Sequence, residues 1–349
     1  MKTATTSLQL ALTPEAGLLK PVPGCEEGVL ALDVAEGCAA ACVHCVGGHS
    51  GEKYGAPTQV TVVANAAARL EAELEGLAGQ GRRPSRIRLG WASDPLLPIP
   101  ELRTVTLAVM QVALDRGVAV ELHTRNVVPE DVVQLMKAHR HMVHLVVGVM
   151  SVRDSAVRVY EPELPPPAGR LRAVRPLLAA GVPVTLRVEP LVPLVNDTQA
   201  DLEAVFDLAV KNGVRRVELA YLALTPDTAK SLSRGMPRMH REMLRGLFAE
   251  QPWLPWAGGS RKLLPRMLRE AGYDRALAAA RRLGLIPTVC ATAEPEIRLA
   301  RHCVRPLGDT PSGRPSAASS AASSAPPAAK AVAAAAQLGL FGEALLKTR

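Results

Sequence analysis

The sequence predicts an α/β protein: a partial, TIM-like (β/α)6 barrel followed by a mostly helical extension and a disordered tail. Three observations carry this. Short apolar runs alternate with amphipathic segments through the middle of the chain. Glycine or proline punctuates most of the junctions. Six such strand–helix units succeed one another between residues 28 and 225. Apolar strands set between helices argue for a parallel sheet covered on both faces. Six units can curl into an incomplete barrel whose working face lies at the C-terminal ends of the strands. A doubly wound open sheet is the alternative, because strand order is not written in one sequence.

In order, the expected strands are 28–34, 86–91, 118–123, 142–150, 182–188 and 214–222. The expected helices are 61–77, 102–116, 130–139, 169–180 and 199–211, with Gly117, Gly181 and Gly213 as C-terminal stops. Residues 1–27 form an extension before this core. Residues 226–308 read as a basic, mostly helical extension, with Arg261, Lys262, Arg266, Arg269, Arg275, Arg281 and Arg282, and 285–290 as one more strand. Residues 309–331 are almost wholly Ala, Ser and Pro. They bury too little apolar surface to offset their ordering entropy, so a flexible linker is expected, followed by a terminal segment 332–349.

Apolar residues make up 48% of the 349, but aromatics only 3%, so aliphatic side chains must fill the core. The formal charge of +8 favours a polyanionic partner such as DNA, and serves equally as ordinary solubility charge. No stretch has the layout of a signal peptide, and no apolar run is long enough to span a bilayer. A cytoplasmic location without membrane attachment is therefore expected, where thiolates survive as metal ligands.

Three of six cysteines crowd into eight residues, Cys38-Ala39-Ala40-Ala41-Cys42-Val43-His44-Cys45, a C-x3-C-x2-C spacing that directly follows a strand. Three thiolates on one short loop can bind three irons of a [4Fe–4S] cubane and leave the fourth open. An open iron can chelate the amino and carboxylate groups of S-adenosylmethionine. The three alanines let the loop wrap closely. Zinc is the rival metal, with His44 or His49 as a fourth ligand, although structural zinc favours paired C-x2-C units. Cys25, Cys290 and Cys303 are left over, as isolated thiols, ligands of a second cluster or a hydrogen donor.

With these units and this triad, the chain resembles the radical S-adenosylmethionine superfamily, and within it the branch of spore photoproduct lyase and the DNA repair photolyase-like proteins. Ser93-Asp94-Pro95, His123-Thr124-Arg125, Glu161-Pro162 with Pro165 and Arg170-Leu171, Gly181-Val182-Pro183, Leu191-Val192-Pro193 and Asn196-Asp197 carry the likeness, which covers residues 28–225. The resemblance implies a cluster on Cys38, Cys42 and Cys45, an external electron donor, and a 5′-deoxyadenosyl radical made from S-adenosylmethionine. It implies that Ser93 and Asp94 hold the methionine end of the cofactor. Arg125, where the family often has lysine, would pair with the cofactor's carboxylate, and Ser151 would touch its ribose or carboxylate. His44 stands where an aromatic residue is typical and would stack on the adenine. Asp94 and Ser151 also suit plain turn or cap positions. Trp91 occupies the place of the lyase's hydrogen-donating cysteine and cannot do that work.

At the far end, Gln337-Leu338-Gly339-Leu340-Phe341 resembles the peptides by which bacterial repair and replication proteins bind the sliding clamp. Gln337 would anchor the peptide, and Leu338, Leu340 and Phe341 would fill an apolar pocket; a chance apolar pentapeptide reads the same way. Three functions follow: a radical enzyme acting on DNA, one acting on a small metabolite or peptide, or a non-catalytic iron–sulfur or zinc module.

Overall fold

The computed structural model describes residues 7–11, 17–22, 24–25, 27–45, 59–256, 259–294, 296–297 and 300–301. Cys303, His49, the linker 309–331 and the segment with Gln337, Leu338, Leu340 and Phe341 lie outside them. Among the described residues, one sheet holds eight parallel strands: β1 (Val29–Leu32), β2 (Arg86–Leu89), β3 (Ala119–Thr124), β4 (Val143–Gly148), β5 (Val184–Leu191), β6 (Arg216–Tyr221), β7 (Ile286–Cys290) and β8 (Ala300–Arg301). They neighbour one another in chain order, and Lys20–Pro21 pairs antiparallel with β1 at the edge. A doubly wound sheet reverses direction at a switch point; this order never does. The sheet is open, with β8 and Lys20–Pro21 at its two edges.

Between β1 and β2 comes α1 (Ala66–Gly79), then α2 (Pro100–Asp115) and α3 (Glu130–Ala138). The β4–β5 connection carries α4 (Asp154–Tyr160), α5 (Pro167–Ala173) and α6 (Arg175–Ala179), and α7 (Gln199–Lys211) leads to β6. After β6 follow α8 (Pro226–Gly235), α9 (Arg238–Ala249) and α10 (Arg266–Arg282). With crossovers of the usual right hand, sequential strands place their helices on a common face. That face is aliphatic, as the scarcity of aromatics requires: Ile87, Leu89, Leu122, Leu145, Val147, Leu186, Val188, Val217 and Leu219 are fully buried.

Four local readings change. The helix expected from residue 61 starts at Ala66; Gln59–Val63 is instead a strand, flanked by Ser7–Ala11 and Ala35–Glu36. Its β-branched Val-Thr-Val-Val suits a pleated surface better than a helix. The single helix expected over 169–180 is broken, because Pro176 cannot donate to a preceding turn, and α4 is additional. Within the extension, Leu254–Trp256 and Gly259–Leu263 pair antiparallel, with Ala223–Leu224 on the other side. The strands themselves are not apolar throughout: Arg86, Arg88, Glu121, His123, His144, Arg187, Glu189 and Glu218 alternate with the aliphatic residues. The face away from the apolar packing is therefore lined with charge.

Candidate active site

That charged face opens, at the C-terminal ends of the strands, into a cavity of about 630 Å³. Cys38, Cys42 and Cys45 line it together with His44, Trp91, Ser93, Asp94, His123, Thr124, Arg125, Arg187 and Glu189. Residues in or after four different strands thus meet in one place.

The cysteine loop leaves β1 through Gly37, whose φ of +78° is one that L side chains rarely adopt. A Cβ there would lie 2.2 Å from the Gln59 carbonyl oxygen. The loop turns again at Ala41 (φ 49°) and closes with the Cys45 N–H donating to the Cys42 carbonyl at 3.2 Å. Outside contacts hold it: Val43 N–H donates to the Tyr160 carbonyl at 3.1 Å, and the Thr228 hydroxyl of α8 donates to the Cys45 carbonyl at 2.9 Å. Burial, with help from Asp94 and Cys45, pushes the Cys38 thiol up to about 12, and burial raises Cys42 as well. A metal must therefore displace protons here, as thiolate coordination always requires.

The donor set, three thiols on one short loop lining one cavity, suits a cubane. Zinc draws sulfur ligands to about 2.3 Å and so gathers them around one point. A cubane distributes three thiolates over three irons, which three thiols spread along one cavity wall can satisfy.

Ser93 and Asp94 sit where the sequence places them, and both are already engaged in joining loops. The Ser93 hydroxyl donates to the Gly37 carbonyl at 2.7 Å. Asp94 accepts from Leu96 N–H (2.9 Å), the Thr124 hydroxyl (2.8 Å), Arg125 N–H (2.7 Å) and the Asn126 amide (2.9 Å). It ties the end of β2 to the end of β3. Behind them lies Asp33, a residue the sequence reading passed over. Its carboxylate accepts from the N–H groups of Trp91 and Ala92 at 2.9 Å and of Ser93 at 3.3 Å. Burial nonetheless raises its pKa.

Arg125 lines the cavity and donates to Glu161 at 2.8 Å and to the Glu189 carbonyl at 2.7 Å. Glu161 also faces Arg170 at 2.7 Å, and Arg170 donates to the Pro165 and Gly148 carbonyls. Gly148 makes room for this: a Cβ there would sit 2.8 Å from Arg125 Cγ. Asn196 likewise braces the loop after β5, donating to the Met150 and Pro190 carbonyls. His44 is buried on the cavity wall. Ser151 is not part of that wall. It is 1% exposed, and its hydroxyl accepts from Arg153 N–H at 3.1 Å, a turn between β4 and α4.

Deeper in the sheet, Glu121 is fully buried between Arg86 (2.9 Å), Arg88 (2.8 Å) and His123 (2.6 Å). Despite burial, Arg88, His123 and His144 keep its pKa well below the ordinary value. Burial, aided by Arg88 and Arg187, lowers His123 to about 4, so its ring is neutral near pH 7. The signal for this network was available: charged residues spaced by two within otherwise apolar strands.

The fold and this cavity define an α/β protein with a thiol-bearing loop after its first parallel strand, and solved structures with a similar fold exist. The chain aligns with spore photoproduct lyase complexed with dinucleoside spore photoproduct at a TM-score of 0.63 and 14% identity, over 80% of this chain and 81% of the lyase. A mutant of the same enzyme, with bound AdoMet and dinucleoside spore photoproduct, aligns at 0.62 and 13% over the same shares. The likeness is one of fold: this chain has the fold of spore photoproduct lyase, as the sequence resemblance implies. The uncharacterized protein ORF301 of Acidianus two-tailed virus is 28% identical over 127 residues, which span 36% of this chain and 42% of that protein. No family model matches the chain. No helix among the described residues is long and apolar enough to cross a membrane.

Proposed function

We propose that the chain is a radical S-adenosylmethionine enzyme, lyase-like and directed at DNA, with a [4Fe–4S] cluster on Cys38, Cys42 and Cys45. The observation that carries this reading is the convergence of the three thiols on a charged cavity in a fold shared with spore photoproduct lyase. When bound and reduced by an external donor, the cluster would supply the electron that cleaves S-adenosylmethionine to a 5′-deoxyadenosyl radical.

The chain's own residues supply binding and position. Arg125 stays charged because Glu161, with Cys42 and Glu189, outweighs its burial, so it can meet the cofactor's carboxylate. Asp94 and Ser93 act chiefly by fixing the loops on which Arg125 and the cysteines ride, and Asp94 remains on the wall near the expected methionine end. His44, buried on the cavity wall, would stack on the adenine. Trp91 supports the view that any hydrogen return differs from that in the lyase. A net charge of +8 and the basic extension favour a DNA substrate. The cytoplasm fits a site that needs reduced thiols.

Anaerobic turnover of reconstituted protein with S-adenosylmethionine tests this. Damaged DNA should stimulate 5′-deoxyadenosine release over undamaged DNA, and equal release with and without DNA would remove the DNA reading. We propose further that Gln337, Leu338, Leu340 and Phe341 bind a bacterial sliding clamp, with tethering raising their effective concentration on DNA. Capture by a clamp column that survives deletion of 332–349 would refute that part.

A further inference from the structure

Thr228 stands in the first turn of α8, 183 residues from Cys45, yet its hydroxyl donates to the Cys45 carbonyl at 2.9 Å. The residue is fully buried. A threonine hydroxyl inside a helix commonly turns back to a carbonyl of its own helix. Here it reaches instead to the backbone of the last of the three cysteines. Thr225, the N-cap of α8, sets that direction. Its hydroxyl accepts from the Thr228 N–H at 3.1 Å and lies 2.8 Å from the Thr228 hydroxyl. The Thr228 hydroxyl has one hydrogen and gives it to Cys45, so the hydrogen between the two threonines comes from Thr225. The hydrogen bonds run in one direction, from Thr225 to Thr228 to Cys45.

The rest of α8 is anchored in the core, where Leu232 and Met236 are buried. Its first turn has a second place in the molecule: Thr225, Pro226 and Asp227 line the same cavity as Cys45. The cysteine loop thus hangs from two anchors, α4 through the Tyr160 carbonyl and α8 through the Thr228 hydroxyl. The first lies within residues 28–225, which carry the sequence likeness. The second lies just beyond them, in the extension.

We infer that Thr228 is a positioning residue for the cluster and that α8 is its latch, so that seating of α8 and loading of the cluster are one coupled equilibrium. This rests on the proposed function and adds a part of the chain to it. Thr228 acts through the Cys45 backbone and not on a ligand atom. Three thiolates have to meet three irons of one cubane, so freedom left to Cys45 loosens the whole set. Coupling of this kind is reciprocal. The factor by which a loaded cluster favours the seated helix is the factor by which an unseated helix weakens the cluster's hold. Because Thr225, Pro226 and Asp227 belong to the cavity wall, loading the cluster also fixes the wall that faces the substrate.

Hydrogen exchange read by mass spectrometry tests this, on the full-length protein both apo and anaerobically reconstituted. In the wild type, loading should slow exchange in residues 226–235 as well as in 38–45. Thr228→Val keeps the shape of the side chain and removes the hydroxyl. It should speed exchange in 38–45 of the apo protein. After reconstitution it should hold iron roughly tenfold less tightly, the scale on which outer partners of metal ligands act, read as release to bathophenanthroline. Thr228→Ser keeps the hydroxyl and should match the wild type in both. Iron held by Thr228→Val as firmly as by the wild type, or Thr228→Ser as leaky as Thr228→Val, overturns the latch. Should Thr228→Val fail to fold, the wild type decides alone: a cluster that loads without slowing exchange in 226–235 refutes this inference and leaves the proposed function standing. A wild type that takes up no iron refutes both.

Discussion

At the scale of single residues, the site is held by carboxylates acting as clamps. Asp94 and Asp33 each gather several donors from neighbouring loops, and Glu161 sits fully buried between Arg125 and Arg170. Removing one member of a buried ion pair strands the remaining charge, which costs about 3–5 kcal/mol. Glu161→Ala should therefore lower the denaturant midpoint sharply. Glu75→Ala, which loses only an exposed pair with Arg116, should leave it in place. Equal midpoints for the two variants would show that the Glu161 cluster is not the brace described here. The sequence displayed Ser93, Asp94 and Arg125 but not their partners. A carboxylate at a strand end reads the same whether it faces a ligand or a neighbouring loop. Ser151 shows the other outcome, since its hydroxyl closes a local turn with the Arg153 N–H just before α4.

At the scale of elements, the cysteine loop is set by backbone geometry. Gly37 passes so close to Gln59 that no side chain fits, and its positive φ is costly for any other residue. Gly37→Ala should displace Cys38 and cut iron bound per chain after anaerobic reconstitution, with the far-ultraviolet circular dichroism retained. Full iron loading in Gly37→Ala would show that the loop tolerates a different path. The loop's spacing was legible because thiol chemistry is local. The hairpin bearing Trp256 and Arg261 was not, because its partner strand, Ala223–Leu224, lies about forty residues from the segment it pairs with and a basic, aliphatic stretch suggests a helix. The strand Gln59–Val63 escaped for a related reason: its β-branched run abuts a true helix and was read as that helix's first turns.

At the scale of the whole molecule, sequential parallel strands put helices on one face and leave the other for charge. Parallel β/α units were legible from alternation and glycine stops. Strand order was not, since it depends on which edges meet in space. The alternation of Arg, Glu and His with aliphatic residues, visible along β2, β3 and β5, marked the charged face in the sequence itself. Everything proposed for this protein depends on what that face and the thiol loop hold together. The most direct measurement is iron and sulfide content, with 5′-deoxyadenosine release, in anaerobically reconstituted full-length protein beside Cys38→Ala, Cys42→Ala and Cys45→Ala. The account predicts about four irons per chain and nucleoside release in the wild type, with both lost in each variant. A wild-type chain that takes up one zinc and no iron, or a Cys42→Ala variant that still releases 5′-deoxyadenosine, would contradict it.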